Sequence, residues 1–347
     1  MIDKKREKEE LKEKKKNPQV ELILKIFGRV IHYKSFFIFN LLIIVTIIFA
    51  FLSPQMTFIK QENLITMLRL TPEFGIVTLG MALLLISGEF DLSVGSIFAL
   101  GSLVAAWTYT NWGWNPIVSL IAALIVGALC GFINGVIIVK SNVSSLIVTL
   151  GMMWVYRGLL LLITGGFPVY FHPEHKYPLF YEVFTGFIGP IPIQMVWMIG
   201  ITIILYILLE HTKFGNWILA TGSNKDSARM MGINTDRVKI ICFMILGLLS
   251  ALAGVMQSCR IHGAYGVQGE MLNLRAIAAA VVGGTSIFGG VGTIPGAMFG
   301  SLIIQFLDSG FLAIGLSMFH FYIALGLTLI IVVFVNLLLR KARLPTW

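Results

Sequence analysis

The sequence predicts an all-α polytopic integral membrane protein of about ten transmembrane helices, several of them short or broken, with both termini in the cytoplasm. Three observations predict it. Hydrophobic residues make up 57% of the 347-residue chain and charged residues only 12%. A soluble domain carries about 25% charged residues, so this chain cannot cover a water-facing surface. Apolar runs of span length recur along it, each near the ~20 residues needed to cross a ~30 Å hydrocarbon core. The charge is confined to the ends and a few loops: 11 of the 26 Lys and Arg precede Ser35. The net +9 therefore reads as an orientation signal, since basic loops stay in the cytoplasm. No basic patch interleaves with aromatics on a soluble fold, which excludes a nucleic-acid partner.

The elements follow in chain order. Residues 1–35 form a charged tail of mixed sign. The apolar run after it ends at Ser53-Pro54 without a small-residue cleavage site, so it is a first span and not a signal peptide. The predicted spans are 36–53, 65–87, 92–110, 116–139, 143–164, 194–210, 238–258, 273–287, 293–309 and 320–339. Together they make a membrane domain over 36–339, followed by a cytoplasmic tail over 340–347. The loop 211–238 carries Lys213, Lys225, Arg229 and Arg237 and belongs in the cytoplasm. Turn 111–115 has no Lys or Arg, and loop 165–193 has only Lys176 amid Pro, Phe and Tyr, so both face outward. An even number of spans satisfies all of these assignments.

Within the spans, Gly127, Gly131 and Gly135 recur every fourth residue. This is a stripe that lets helix backbones approach closely in lipid. Two stretches interrupt the helical pattern, GEFDLSVGS (88–96) and GGTSIFGGVGTIPG (283–296). Irregular backbone at membrane depth survives only where it is buried in protein or lines a cavity, and transporters place such breaks near the solute path. Glu89 and Asp91 admit three readings. The plainest is a cytoplasmic turn with Asp91 capping the next helix. The others are a gate or pathway role, or proton coupling. TGSNKDSARMMGIN (221–234) reads as a short capped helix. Asn224 is its N-cap and Asp226 sits in its first turn. Gly232 stops it, with Ala228, Met231 and Ile233 available to a partner surface.

Cys130, Cys242 and Cys259 read as small packing residues. HPEH (172–175) has a ligand-like spacing, but the sequence offers no further cluster beside it, so no metal site is expected. No phosphate-binding loop, zinc-protease helix or nucleophile elbow occurs. The chain is accordingly expected to hold no catalytic residue and no cofactor. If ATP drives it, ATP and Mg belong to another polypeptide.

Four stretches in chain order carry a resemblance. ISGEFDLSVGS (86–96) resembles the ISGGIDLSVGS signature of the ribose/galactose/xylose-type permeases of bacterial ATP-binding-cassette importers. FINGVIIVKSNVSSLIVTLGMMWVYRGLLLLITGG (132–166), FGNWILATGSNKDSARMMGINTDRVK (214–239) and LRAIAAAVVGGTSIFGGVGTIPGAMFGSLII (274–304) resemble further segments of that family, from about residue 63 onward. Glu89 and Phe90 depart from its usual Gly-Ile, Ser144-Ser145 from a frequent proline, and Arg275 and Asp308 from its usual charge pattern.

The resemblance implies a pore-forming subunit for a small sugar or sugar-like solute. It would be paired with a second permease copy or a close relative in the lipid bilayer. A periplasmic or lipid-anchored solute-binding protein would feed it, and two cytoplasmic ATPases would drive it. It also implies that Gly222, Asn224, Asp226, Ala228, Arg229, Gly232 and Ile233 form the ATPase-coupling loop. Glu89, Asp91, Ser93, Gly95, Asn134, Thr149, Gly283, Gly284, Thr285 and Ser286 fall on the signatures assigned to the pathway or gate. The alternative is an ion-coupled secondary transporter using Glu89, Asp91 and Asp308.

Overall fold

A computed structural model describes residues 34–141 and 143–342. Most of the predicted tails lies outside the described residues. Thirteen α-helices are described. They are α1 Lys34–Leu52, α2 Gln61–Ile86, α3 Val94–Trp112, α4 Pro116–Ser141, α5 Ser145–Thr164, α6 Pro178–Thr185, α7 Ile193–His211, α8 Lys213–Ser223, α9 Lys225–Met230, α10 Thr235–Ile261, α11 Leu272–Val282, α12 Ile294–Ala313 and α13 Met318–Ala342. The two-residue strands are β1 Val169–Tyr170, β2 Phe187–Ile188, β3 Ile191–Pro192 and β4 Gly263–Ala264.

Among the described residues α2, α4, α5, α7, α10 and α12 are long and apolar enough to cross a membrane, and α1, α11 and α13 hold shorter apolar stretches. With the largely buried α3, these ten helices fall on the ten apolar runs. One predicted span needs correction. The run 273–287 is not one continuous spanning helix: α11 has 11 residues, about 16 Å at 1.5 Å per residue, too short to cross by itself, and it stops at Gly283.

Helix α2 is buried on every side from Thr71 to Ile86, as expected of a helix that is apolar all round. It forms the centre, with α10, α12, α11 and α7 packed around it. The predicted glycine stripe of α4 meets α10. A methyl group at Gly127, Gly131 or Gly135 would strike Gly247 and Ala251, Phe243, or Ile240 respectively. Helix α5 lies on the rim, with Leu146, Ile147, Leu150, Trp154 and Leu162 facing out, apolar surface suited to lipid or a second membrane chain.

One face is capped by 165–192. β1 pairs antiparallel with β4, Val169 opposite Ala264. Tyr109 Oη and Thr110 Oγ1, at the end of α3, donate to the carbonyls of His172 (3.2 Å) and Tyr170 (2.7 Å). The ends of α3 and α10 thus share one face with this loop, while α8 and α9 join α7 to the start of α10 at the other.

Candidate translocation and coupling site

The first break is a buried polar knot. Asp91 Oδ1 accepts from the Ser93 amide (2.7 Å) and hydroxyl (2.6 Å), and Oδ2 accepts from Asn134 Nδ2 (2.9 Å). Asn134 also donates to Ser93 Oγ, and its Oδ1 accepts from Tyr156 Oη at 2.9 Å. Thr149 Oγ1 accepts from the Leu92 amide at 3.0 Å, and Asn273 donates to the Leu92 carbonyl. The Leu92 amide and carbonyl of the broken backbone are therefore satisfied by α5 and α11, while α4 holds the Asp91 and Ser93 side chains, as burial demands.

This corrects the reading of Asp91 as the N-cap of the next helix. Asp91, Ser93, Asn134 and Thr149 are fully buried, and Ser93, not Asp91, occupies the N-cap position of α3. In this conformation the four residues hold the break and line no open path. Glu89 stands apart from the knot and pairs with Lys239 at 2.5 Å. Gly95 instead packs against Gly269, in the segment between β4 and α11.

The second break folds back onto the first. Gly283 packs on Gly296 and Ala297 of α12, and Thr285 is buried. Ser286 closes the turn, its amide donating to Val291 O at 2.8 Å. Gly284 has φ +85°, a conformation that glycine adopts without steric cost. The Gly290 amide donates to Ile86 O at 2.9 Å, which ties this break to the end of α2.

Gly222 in α8 completes the junction. A methyl group there would strike the Ile86 carbonyl and the Gly290 amide, and Gly88 and Gly289 pack on its other sides. The segment leading to the predicted coupling helix thus touches both helix breaks through bare backbone.

That coupling helix is α9. Asn224 caps it, its side chain accepting from the amides of Asp226 and Ser227. It ends at Gly232, φ +83°, with the Ile233 amide bonded to Ala228 O. Both ends match the expectation. The apolar side matches only at Met231, which is 83% exposed beside Met230 at 82%; Ala228 is buried against the body and Ile233 is half-buried. Arg229 is not free either. It donates to Thr235 Oγ1 (2.9 Å) and Asp236 Oδ1 (2.5 Å), which pins α9 to the start of α10.

The sequence reading missed a third feature. A cavity of about 190 Å³ is lined by Glu73, Phe74, Phe98, Gln257, Arg260, Glu270, Arg275, Gln305 and Asp308. Arg260 pairs with Glu73, Gln257 donates to Glu73 Oε2 (2.9 Å), and Arg275 pairs with Asp308 at 3.0 Å. The Arg275 guanidinium also lies over the rings of Phe74 (5.0 Å) and Phe321 (5.2 Å). Ionisable groups inside spans are costly, about 2.5–3.5 kcal/mol each on insertion scales, and mark solute or ion pathways. Glu73 inside the predicted span 65–87 was the available signal. Asp308 is held by a fixed cation, and so is Glu89.

A family model described as "Branched-chain amino acid transport system / permease component" matches residues 63–336. The xylose/arabinose import permease protein of Sulfolobus acidocaldarius is 32% identical over 316 residues, 89% of this chain and 86% of that one. The ribose import permease proteins of Bacillus subtilis and Escherichia coli K12 are 37% and 36% identical, each over 85% of this chain and 90% and 91% of theirs. No solved structure matches. With the matched residues spanning nearly the whole membrane domain, the chain belongs to the branched-chain amino acid transport system / permease component family and is a multi-pass permease of the inner membrane.

Proposed function

We propose that this permease is the pore subunit of an ATP-driven importer for a small sugar-like solute, and that α8 and α9 transmit the ATPase stroke to both helix breaks. The observation that carries the reading is the Gly222 junction: one residue of the cytoplasmic loop touches Ile86, Gly88, Gly289 and Gly290. Interfaces this close are bistable and do not deform smoothly. A shift of α8 must therefore move the ends of α2 and α11 with it. Met230 and Met231 supply the exposed apolar contact for a cytoplasmic ATPase, and the nearby pins from Arg229 to α10 make α9 a rigid lever. ATP and Mg are bound by that partner. A solute-binding protein delivers solute to the face bearing 165–192, and a second permease copy meets this one across part of its apolar rim.

The solute class rests on relatives named for ribose, xylose and arabinose and on the cavity beside Glu73. Carboxylate, amide and guanidinium groups hydrogen-bond hydroxyls in pairs, and Phe74 and Phe98 offer ring faces. The test is Gly222→Val. Uptake of labelled ribose or xylose, and ATPase stimulation by solute-loaded binding protein, should both be lost while the protein still inserts. Normal uptake by this variant would overturn the coupling reading.

A further inference from the structure

The outer face gathers a group of side chains that the transport cycle leaves unused. His172, Glu174 and His175 come from the loop after β1, and His262 comes from the residue that ends α10, far away in sequence. All converge on one atom. Glu174 Oε1 lies 2.9 Å from His172 Nδ1, 3.3 Å from His262 Nδ1 and 3.9 Å from His175 Nε2. The ligand atoms of His172, Glu174 and His175 all lie within 4.8 Å of one another. A tetrahedral Zn²⁺ with ligands at about 2.0–2.1 Å sets ligand atoms about 3.3 Å apart, the middle of this range.

Two further observations point to a missing partner. Glu174 Oε2 and His262 Nδ1 are both buried without a hydrogen bond. One carboxylate oxygen cannot satisfy three imidazoles, and the His172 and His262 rings stack at 5.2 Å and 16°. Protonating both to pair with Glu174 would set two cations face to face. Three neutral imidazoles and a carboxylate around a dication satisfy every group at once.

The geometry points to a divalent transition-metal site of the Zn²⁺ class formed by His172, Glu174, His175 and His262. The metal clips the outer loop to the end of α10. Its chemical role is structural, since three or four protein ligands around a small ion fix the segments that bear them. The clip also fixes the wall of an outer pocket of about 290 Å³, lined by Tyr109, Trp114, Tyr170, His172, Lys176 and Tyr177.

The test uses the full chain, purified on a histidine-free tag, stripped with chelator and titrated with Zn²⁺ by calorimetry and with Co²⁺ by visible absorbance. The expected result is one saturable equivalent per chain with the intense bands of tetrahedral Co²⁺. His262→Asn is the decisive variant. His262 has φ +58°, a left-handed conformation that asparagine tolerates, so folding is preserved while the imidazole is lost. It should weaken binding at least tenfold, as should Glu174→Gln, while His320→Ala binds like the wild type. No saturable equivalent in the wild type, or less than a tenfold loss in His262→Asn, overturns the proposal.

Discussion

At the scale of single residues, the balance of buried charge decides what this protein tolerates. Glu73 is 4% exposed and is held by Arg260 and Gln257. Removing one partner of such a pair leaves an uncompensated charge, which costs about 3–5 kcal/mol. Glu73→Ala should therefore lower the thermal midpoint of the purified permease more than the double variant Glu73→Leu, Arg260→Met, and both should lose transport if the cavity binds solute. A melting series in one detergent checks the order. Sequence reasoning located the knot residues Asp91, Ser93, Asn134 and Thr149 but not what they do. Their pairing depends on α4 and α5 crossing the break, and spacing along the chain does not reveal that. The same limit hid His262, which lies 87 residues from His175 (262 minus 175).

At the scale of elements, α9 is the test case. Its caps were legible because Asn before a short helix and Gly after it each answer a local backbone need. Its outward face was legible only at Met231, because six residues make too few turns to fix a periodicity. Asn224→Ala should cost about 1 kcal/mol of local helix stability, visible as faster amide exchange confined to 225–231. Arg229→Glu sets like charges against Asp236 and frees α9 from α10. Uptake should fall at least tenfold with insertion unchanged. Met230→Asp with Met231→Asp should leave folding within about 0.5 kcal/mol, the range for exposed sites, yet abolish ATPase stimulation. α11 shows the opposite limit. Its predicted span runs on to 287, yet the glycine-rich break beginning at Gly283 already marks where the helix stops, against α12.

At the scale of the whole molecule, composition was enough for the membrane class, because lipid imposes one secondary structure on every span, and loop charge predicts the orientation. A cysteine placed at Gly113 should react with an impermeant reagent from outside only, and one at Ser227 from the cytoplasm only. What composition did not reveal is that the two breaks meet each other and the loop bearing α8 at a single junction. The central claim is that transport is driven through this junction by a partner's ATP. The direct measurement is labelled ribose or xylose uptake into proteoliposomes, with and without the partner ATPase, the binding protein and ATP. The account predicts uptake only with all three, lost in Gly222→Val. Uptake by this chain alone under a proton or sodium gradient would contradict it.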